Sequence, residues 1–330
     1  MTMRVSLVAT TRNEADNIES FLDSIFSQTR IPDEVIITDG GSTDDTARAI
    51  ASYSAAKHVV QLEVLPGANR SRGRNRAVEL ASFGIIAVTD AGCRLAEGWL
   101  EAIVRPFGEC ADVTAVAGFY APEPANAVEA CIGAMTLPGL EAVKPESFLP
   151  SSRSVAFTKQ AWRDAGGYPE ELDLNEDTAF DLRLVASGHA FRFAPDALVY
   201  WRPRKSPAAV YRQFRSYARG DAQASIYART YAAIYVRYAL VLLGLSLWAF
   251  SGRWAFGVAG ILLSLPRLLR DFSKVALGLR PTPYGRRARL WQALAWVVPV
   301  RLAIDWGDMV GWALGIRDRR RRARCLATKE

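Results

Sequence analysis

Short apolar runs and amphipathic stretches alternate through the first 120 residues. Residues 5–9, 34–38 (EVIIT), 59–64 and 85–89 (IIAVT) are brief runs rich in branched side chains, the pattern of buried strands. Between them, residues 15–27 set Ile18, Phe21, Leu22 and Ile25 on one helical face, and residues 43–53 and 72–82 continue the alternation as helices. Ser42 followed three residues later by Asp45 predicts a capping box at the start of the second helix. Strands joined by helical crossovers predict a parallel sheet with helices on both faces. From residue 112 to 201 the pattern is mixed, with short strands at 113–117, 155–157 and 197–200 and a helix at 176–187.

Beyond residue 231 the pattern changes. Residues 238–250 and 254–266 are two runs of 13 without a charged side chain, separated by Ser251-Gly252-Arg253. A spanning helix needs about 20 residues, because about 30 Å of hydrocarbon is crossed at about 1.5 Å per residue. Extending the first run back to Ala232 reaches 19 residues and takes in Arg237, which can snorkel. The second run is short, so a tight helical hairpin in the bilayer, or one lying shallowly in it, is expected. Residues 290–316 are apolar but interrupted by Arg301, Asp305 and Asp308, which suits an interfacial helix or one packed against a partner. Residues 317–324 hold six arginines in eight, an anchor for anionic lipid. The alternative is that these runs are core helices of a soluble second domain.

Charge sharpens this picture. The net charge is +7, yet residues 1–230 carry 24 Lys/Arg against 29 Asp/Glu, whereas residues 231–330 carry 17 against 5. Basic charge confined to one third of the chain points to a membrane surface and away from nucleic acid. Six of the nine Trp residues lie in that same third, which weighs against the soluble alternative. An apolar content of 50% excludes a wholly disordered chain. Cys93, Cys110, Cys131 and Cys325 form no C-x-x-C, which fits a reducing cytosolic face better than a disulfide framework. With only His58 and His189, a His/Cys zinc site is disfavoured and any metal is an oxygen-bound cation such as Mg²⁺ or Mn²⁺. Met1 to Arg12 holds no long apolar core, so no signal peptide is expected there.

Ligands of parallel α/β sheets bind beyond the carboxyl ends of the strands. Three polar clusters fall at such ends: Thr11-Arg12-Asn13-Glu14, Asp39-Gly40-Gly41-Ser42 and Asp90-Ala91-Gly92. Asp39, with two glycines that let a ligand approach the backbone, suits a ribose or a base imide; otherwise it is a turn-forming Asp. Asp90 near a diphosphate is useful only with a divalent cation between them, since the bare charges repel. Arg70, Arg72, Arg74 and Arg76 are either a solvated face or a phosphate clamp. Neither G-x-x-x-x-G-K-[ST] nor G-x-G-x-x-G occurs, which disfavours P-loop and dinucleotide readings. Glu176-Asp177 opens a helix after Gly166-Gly167-Tyr168-Pro169-Glu170. Acids there either oppose the helix dipole or act as a general base, an effect of roughly 10²–10⁴-fold.

Together these residues resemble the family 2 glycosyltransferases over about residues 3–220. Thr11-Arg12-Asn13-Glu14 resembles the family's first turn, and Asp39-Gly40-Gly41-Ser42-Thr43-Asp44 its nucleoside-binding motif. Gly73-Arg74-Asn75 is similar to its A-R-N element, and Glu176-Asp177 after Gly166-Gly167-Tyr168 to its GG-F/Y…E-D region. The resemblance implies an α/β chain with the GT-A nucleotide-diphospho-sugar transferase fold, Rossmann-like and mostly parallel, over residues 1–230. A helical, membrane-associated region with a basic tail follows over 231–330. It also implies a membrane-associated bacterial enzyme of cell-envelope polysaccharide synthesis at the cytosolic face of the cytoplasmic membrane. The enzyme would move a sugar with inversion from a nucleotide-diphosphate sugar to a lipid-linked or glycan hydroxyl. Asp177, beside Glu176, would be the base. Thr11, Asn13, Glu14, Asp39, Gly41, Arg74, Asn75 and Asp90 would bind the donor, and Asp90 would hold Mg²⁺ or Mn²⁺.

Two features depart from the family. D-x-D is here Asp90-Ala91-Gly92, which lacks the second carboxylate. Q-x-x-R-W is here Gln213-Phe214-Arg215-Ser216-Tyr217, where Arg215 or Arg219 would supply charge near the diphosphate or acceptor alongside Gln213 and Tyr217. The departures admit an inert nucleotide-sugar-binding membrane component as an alternative. A nucleotidyltransferase would want a Gly-rich basic loop after the first strand, and a membrane adaptor leaves the strand-end clusters unexplained.

Overall fold

The apolar run near the start of the chain forms β1 (Val5–Thr11), flanked in parallel by β2 (Glu34–Asp39) and β4 (Ile85–Asp90), with β3 (Val60–Val64) outside β2. This is a computed structural model that describes residues 3–278 and 290–327. The side chains of Ala224 and residues 322–327 lie outside the described residues, so Arg322, Arg324 and Cys325 are not placed. The sheet has eight strands, the others being β5 (Cys93–Leu95), β6 (Ala115–Pro122), β7 (Val155–Thr158) and β8 (Phe191–Trp201). Their order is β3-β2-β1-β4-β7-β6-β8-β5. Four of the seven pairings are parallel, so the sheet is mixed and mostly parallel. β7 is antiparallel to both neighbours, β4 and β6.

Helices cover both faces. On one side α1 (Ile18–Phe26), α2 (Thr46–Ala56) and α4 (Trp99–Glu109) bury Phe21, Ile50 and Trp99 against Leu7 and Ile37. On the other, α3 (Arg70–Leu80), α6 (Lys159–Asp164) and α7 (Glu176–Ala186) bury Val78, Ala161 and Phe180 against Val8 and Phe157. All four apolar positions assigned to the inner face of α1 are buried, as a period of 3.6 requires. The capping box at Ser42 is not formed. The Ser42 hydroxyl donates to Asp39 instead, and α2 starts at Thr46 with Asp45 as its cap residue, making no side-chain cap bond. α3 starts earlier than residue 72, because the Asn69 side chain accepts the Arg72 amide at 3.0 Å.

By packing, the chain divides into Met1–Pro122 with Pro138–Arg202, and Glu123–Leu137 with Pro203–Glu330. The expected boundary near residue 230 thus falls inside the second unit, in the first turn of α9 (Ala228–Ser251), which follows α8 (Pro207–Ala224). This unit also holds α5 (Ala127–Thr136), α10 (Trp254–Leu262), α11 (Leu265–Gly278), α12 (Leu290–Leu294) and α13 (Val297–Ala327). α13 lies on α8 through Gly307, Gly311 and Gly315. A Cβ on Gly307 would come within 2.7 Å of the Tyr211 carbonyl oxygen, and the approach is closer still at the other two. The charges that interrupt residues 290–316 are buried. Arg301 donates twice to Asp271 (2.6 and 2.8 Å), and Asp305 accepts Arg237 (2.5 Å) and Tyr238 (3.0 Å).

The second half of α9 and all of α10 form an apolar hairpin. Gly244 sits so close to α10 that a Cβ there would be 2.6 Å from the Phe256 carbonyl oxygen. Away from that seam the legs are uncovered: Leu242, Leu243, Leu247, Ile261 and Leu262 are exposed, and Phe250 at the tip is 92% exposed. Among the described residues, α9 is the one helix long and apolar enough to cross a membrane.

Candidate functional site

Strand register brings the sequence clusters to one sheet edge. Thr11 at the end of β1 lies opposite Asp39 at the end of β2, and Thr10 lies opposite Asp90 at the end of β4. Asp39 is buried. Its Oδ1 accepts the Gly41 amide (3.1 Å), the Ser42 amide (2.9 Å) and the Ser42 hydroxyl (2.8 Å), and this closes the turn. Gly41 has φ +87°, a conformation that favours glycine. Among the described residues, buried Asp39 Oδ2 and the Thr11 hydroxyl, which register sets on one face of the sheet, find no hydrogen-bond partner; the Thr38 hydroxyl, also unpartnered, faces Gly73 of α3 on the other face. Buried acceptors without partners are costly, so this corner of the edge suits a ligand's N–H or O–H.

The first turn is tied to the second. Asn13, at φ +55°, accepts the Thr43 amide on its side-chain oxygen at 2.8 Å, and its own amide donates to Ser42 Oγ at 2.8 Å. The Glu14 amide donates to Thr46 Oγ1 at 2.8 Å, which leaves the Glu14 carboxylate facing the third cluster. A Cβ added to Gly92 would lie 3.5 Å from Glu14 Oε1. The Glu14 carboxylate therefore lies beside the position whose own side chain is absent.

Arg74 joins this edge to α7. It is buried, and donates from Nη2 to Asp90 Oδ1 at 2.7 Å and from Nη1 to Glu176 Oε1 at 2.8 Å. Burial alone would lower the guanidinium pKa, but the two carboxylates outweigh it and raise it. Burial would likewise raise the Asp90 carboxyl, yet Arg74, Arg153 and Arg70 together hold it below its ordinary value. Asp90 keeps some solvent exposure and only one of its oxygens is bonded to Arg74, so the other is available to a cation. Among the described residues, no three His, Cys, Asp or Glu side chains cluster as a metal site. Asp90 with Glu14 nearby fits a hard cation that takes its remaining ligands from phosphate.

Asn75 is committed to the fold. It donates to the Tyr168 carbonyl oxygen and to Glu170 (both 2.9 Å) and accepts the Tyr168 amide (2.8 Å) and the Trp162 indole (3.1 Å). It thus pins the Gly166–Gly167 turn, whose residues have φ +72° and +73°, ahead of α7. Asp177, in the first turn of α7, accepts the Thr178 amide at 2.9 Å and the Ser151 hydroxyl at 3.3 Å and is partly exposed. One turn on, Asp181 is buried with an unpartnered Oδ2. Burial, then the Asp177 charge, pushes its carboxyl well above the ordinary value against Arg74.

Of the other arginines, Arg76 pairs with Glu63 and Glu79 on the surface, and Arg72 is exposed. Gln213, Arg215, Tyr217 and Arg219 all lie on α8 of the second unit. There Gln213 donates to the Tyr217 hydroxyl at 2.8 Å, Arg215 stands over the Tyr211 ring, and Arg219 pairs with Asp318 at 2.6 Å. Sequence reasoning missed Ser151, Arg153 and Asp181. The run Ser151-Ser152-Arg153-Ser154 was the available signal: it precedes β7, and because β7 is antiparallel to β4 its beginning lies at the edge where β4 ends.

Residues 6–130 match the family model described as glycosyl transferase family 2, and residues 86–304 match that of glycosyl transferase family group 2. Glycosyltransferase AglE of Haloferax volcanii is 27% identical over 223 residues, covering 64% of this chain and 71% of that protein. The pre-mycofactocin glycosyltransferase of Mycobacterium tuberculosis is 25% identical over 210 residues, covering 59% of this chain but 42% of that protein. The structure of mannosyltransferase PcManGT from Pyrobaculum calidifontis, in complex with GDP-Man and Mn²⁺, superposes with TM-score 0.52 at 20% identity. The match covers 92% of this chain and 87% of that one, a likeness of fold.

Proposed function

The chain belongs to the family 2 glycosyltransferases, and from that premise we propose that it transfers a sugar with inversion from a nucleoside-diphosphate sugar to a hydroxyl acceptor. The observation that carries this reading is the double bond of Arg74 to Asp90 and Glu176. It draws the start of α7 to the sheet edge that also presents Asp39. Asp39 Oδ2 and the unpartnered Thr11 hydroxyl beside it receive the nucleoside, and Asn13 holds the Ser42-Thr43 turn nearby. Asp177 takes the acceptor's proton as its oxygen attacks the anomeric carbon and the nucleoside diphosphate leaves from the opposite face. Glu176, locked on Arg74, orients the first turn of α7.

Asp90, with Glu14 beside Gly92, would hold Mg²⁺ or Mn²⁺ against the diphosphate. When bound, the cation offsets negative charge on the leaving group. The mannosyltransferase complex with GDP-Man and Mn²⁺ on the same fold supports both the donor class and a divalent cation.

The acceptor in this reading is a lipid-linked or glycan hydroxyl, and the enzyme works at the cytosolic face of the cytoplasmic membrane. Its support is the uncovered α9–α10 hairpin and the basic excess after residue 231, since apolar helices bare on most sides are stable only in an apolar medium. The test is a panel of UDP-, GDP- and dTDP-sugars with Mg²⁺ or Mn²⁺ and lipid extract on detergent-purified protein, read by nucleoside diphosphate release. Release with at least one donor is expected, sharply reduced in Asp39→Ala. Binding without release from any donor favours the inert component that the missing second carboxylate admits.

A further inference from the structure

The arginines of α3 divide by helical face. Arg70 precedes Gly73 by three residues, Arg74 by four and Ala77 by seven, so it belongs to the face that α3 buries. On that face Gly73 is so near the sheet that a Cβ would lie 2.9 Å from the side chains of Thr10 and Thr38. Arg70 is nevertheless exposed, and among the described residues it makes no ion pair or side-chain hydrogen bond. It stands past the strand tips, where its face has no sheet left to pack on. Arg72, also exposed, is on the opposite face. Contacts on both sides fix this position. The Leu65 amide donates to the Asp39 carbonyl oxygen at 2.7 Å and the Gly67 amide to that of Gly40 at 3.1 Å. A Cβ on Gly40 would come within 2.9 Å of the Ala68 carbonyl oxygen. Across from this loop, the Asn69 side chain donates to the Glu170 carbonyl oxygen at 2.7 Å. Arg70 thus opens α3 between the Asp39 turn and the segment that leads to Asp177. Burial would raise the Asp90 carboxyl, and Arg70 joins Arg74 and Arg153 in holding it low.

We propose that Arg70 is a diphosphate-binding residue, which grips the donor's phosphate oxygens between the nucleoside corner at Asp39 and the cation that Asp90 would hold. This rests on the nucleotide-sugar reading above. Arg74 is matched by two carboxylates, whereas the Arg70 fork is open to two phosphate oxygens at once. The first turn of α3 holds Arg70 and Arg72 and no acidic residue. A helix start favours anions over cations, so a phosphate there relieves both the helix end and the arginine. Asp39 Oδ2 on the neighbouring turn, buried and unpartnered, independently marks the same edge as a place for a ligand.

The test is calorimetric titration of the full-length protein in detergent with UDP, GDP and dTDP in Mg²⁺, with the thermal midpoint of each unliganded variant measured alongside. Arg70→Gln is expected to weaken the diphosphate that the wild type binds by about tenfold or more. Its unliganded midpoint should not fall, because the side chain supports no contact of the fold. Arg70→Lys lies between wild type and Arg70→Gln, because it keeps the charge and loses the fork. Arg72→Gln, on the solvated face, binds within about twofold of wild type. Unchanged binding in Arg70→Gln overturns the proposal. So does an equal loss in Arg72→Gln, which would mean a diffuse surface charge in place of a contact. So does a loss in Arg70→Gln that comes with a lowered midpoint, which would mean that Arg70 acts through the fold. A wild-type protein that binds none of the three diphosphates overturns the nucleotide-sugar reading itself, and the assignment of Arg70 with it.

Discussion

Arg74 shows how a single side chain can set a site. Its guanidinium is buried and satisfied by Asp90 and Glu176, so removing it leaves two carboxylates without their counter-charge. Breaking a buried pair from one side costs about 3–5 kcal/mol. Arg74→Met is expected to lower unfolding stability by that order in denaturant titration, and a loss below about 1 kcal/mol would contradict the arrangement. Asp181 gives the opposite sign. Its carboxyl is raised in the folded state, so the unfolded chain binds fewer protons above its ordinary range near 4. Stability is therefore lost as pH rises from the unfolded value through the folded one. Asp181→Asn is expected to flatten that decline and to be the more stable protein at pH 8; an unchanged pH–stability curve would show that Asp181 is charged when folded. At this scale the positions of Asp39 and Asp90 were legible, because a polar residue ending an apolar run betrays a strand tip, whereas Arg74 and Asp177, inside helices, were singled out through the resemblance. The role of Asn75 was not, since nothing local shows that its amide serves the turn before α7.

Among the elements, the parallel half of the sheet was readable from period and spacing alone, and β1, β2, β3 and β4 fall within a few residues of expectation. α4 was not read, because Pro106 lies inside it and proline normally marks a helix end. The direction of β7 was also hidden, since strand orientation is decided by pairing and leaves no local mark. With it went Arg153. The glycines of α13 were likewise silent until α8 was placed against them. Gly311 faces the Arg215 backbone so closely that any side chain must displace one helix. Gly311→Val is expected to cost about 1–3 kcal/mol and to lower the thermal midpoint of the helical signal in detergent. Wild-type melting would mean that α8 and α13 do not pack through these glycines.

For the molecule as a whole, the strong contrast is between a first unit with a closed apolar core and a hairpin whose leucines and phenylalanine face outward. If that hairpin enters hydrocarbon, full-length protein floats with phosphatidylglycerol–phosphatidylethanolamine vesicles and stays bound in about 1 M salt, where the Debye length is about 3 Å. The pair Leu243→Lys and Leu247→Lys abolishes flotation while the near-UV spectrum of the protein is kept. Release of the wild type by salt alone would instead assign attachment to surface charge. Catalysis is the larger question, and it turns on whether carboxylates from distant segments act on one donor. Wild-type protein and Asp177→Asn are compared for nucleoside diphosphate binding and for its release from the active donor. Binding within about threefold of wild type, with release lower by about 10²-fold or more, is expected. Equal release from both proteins would contradict a general base at Asp177 and the transferase mechanism built on it.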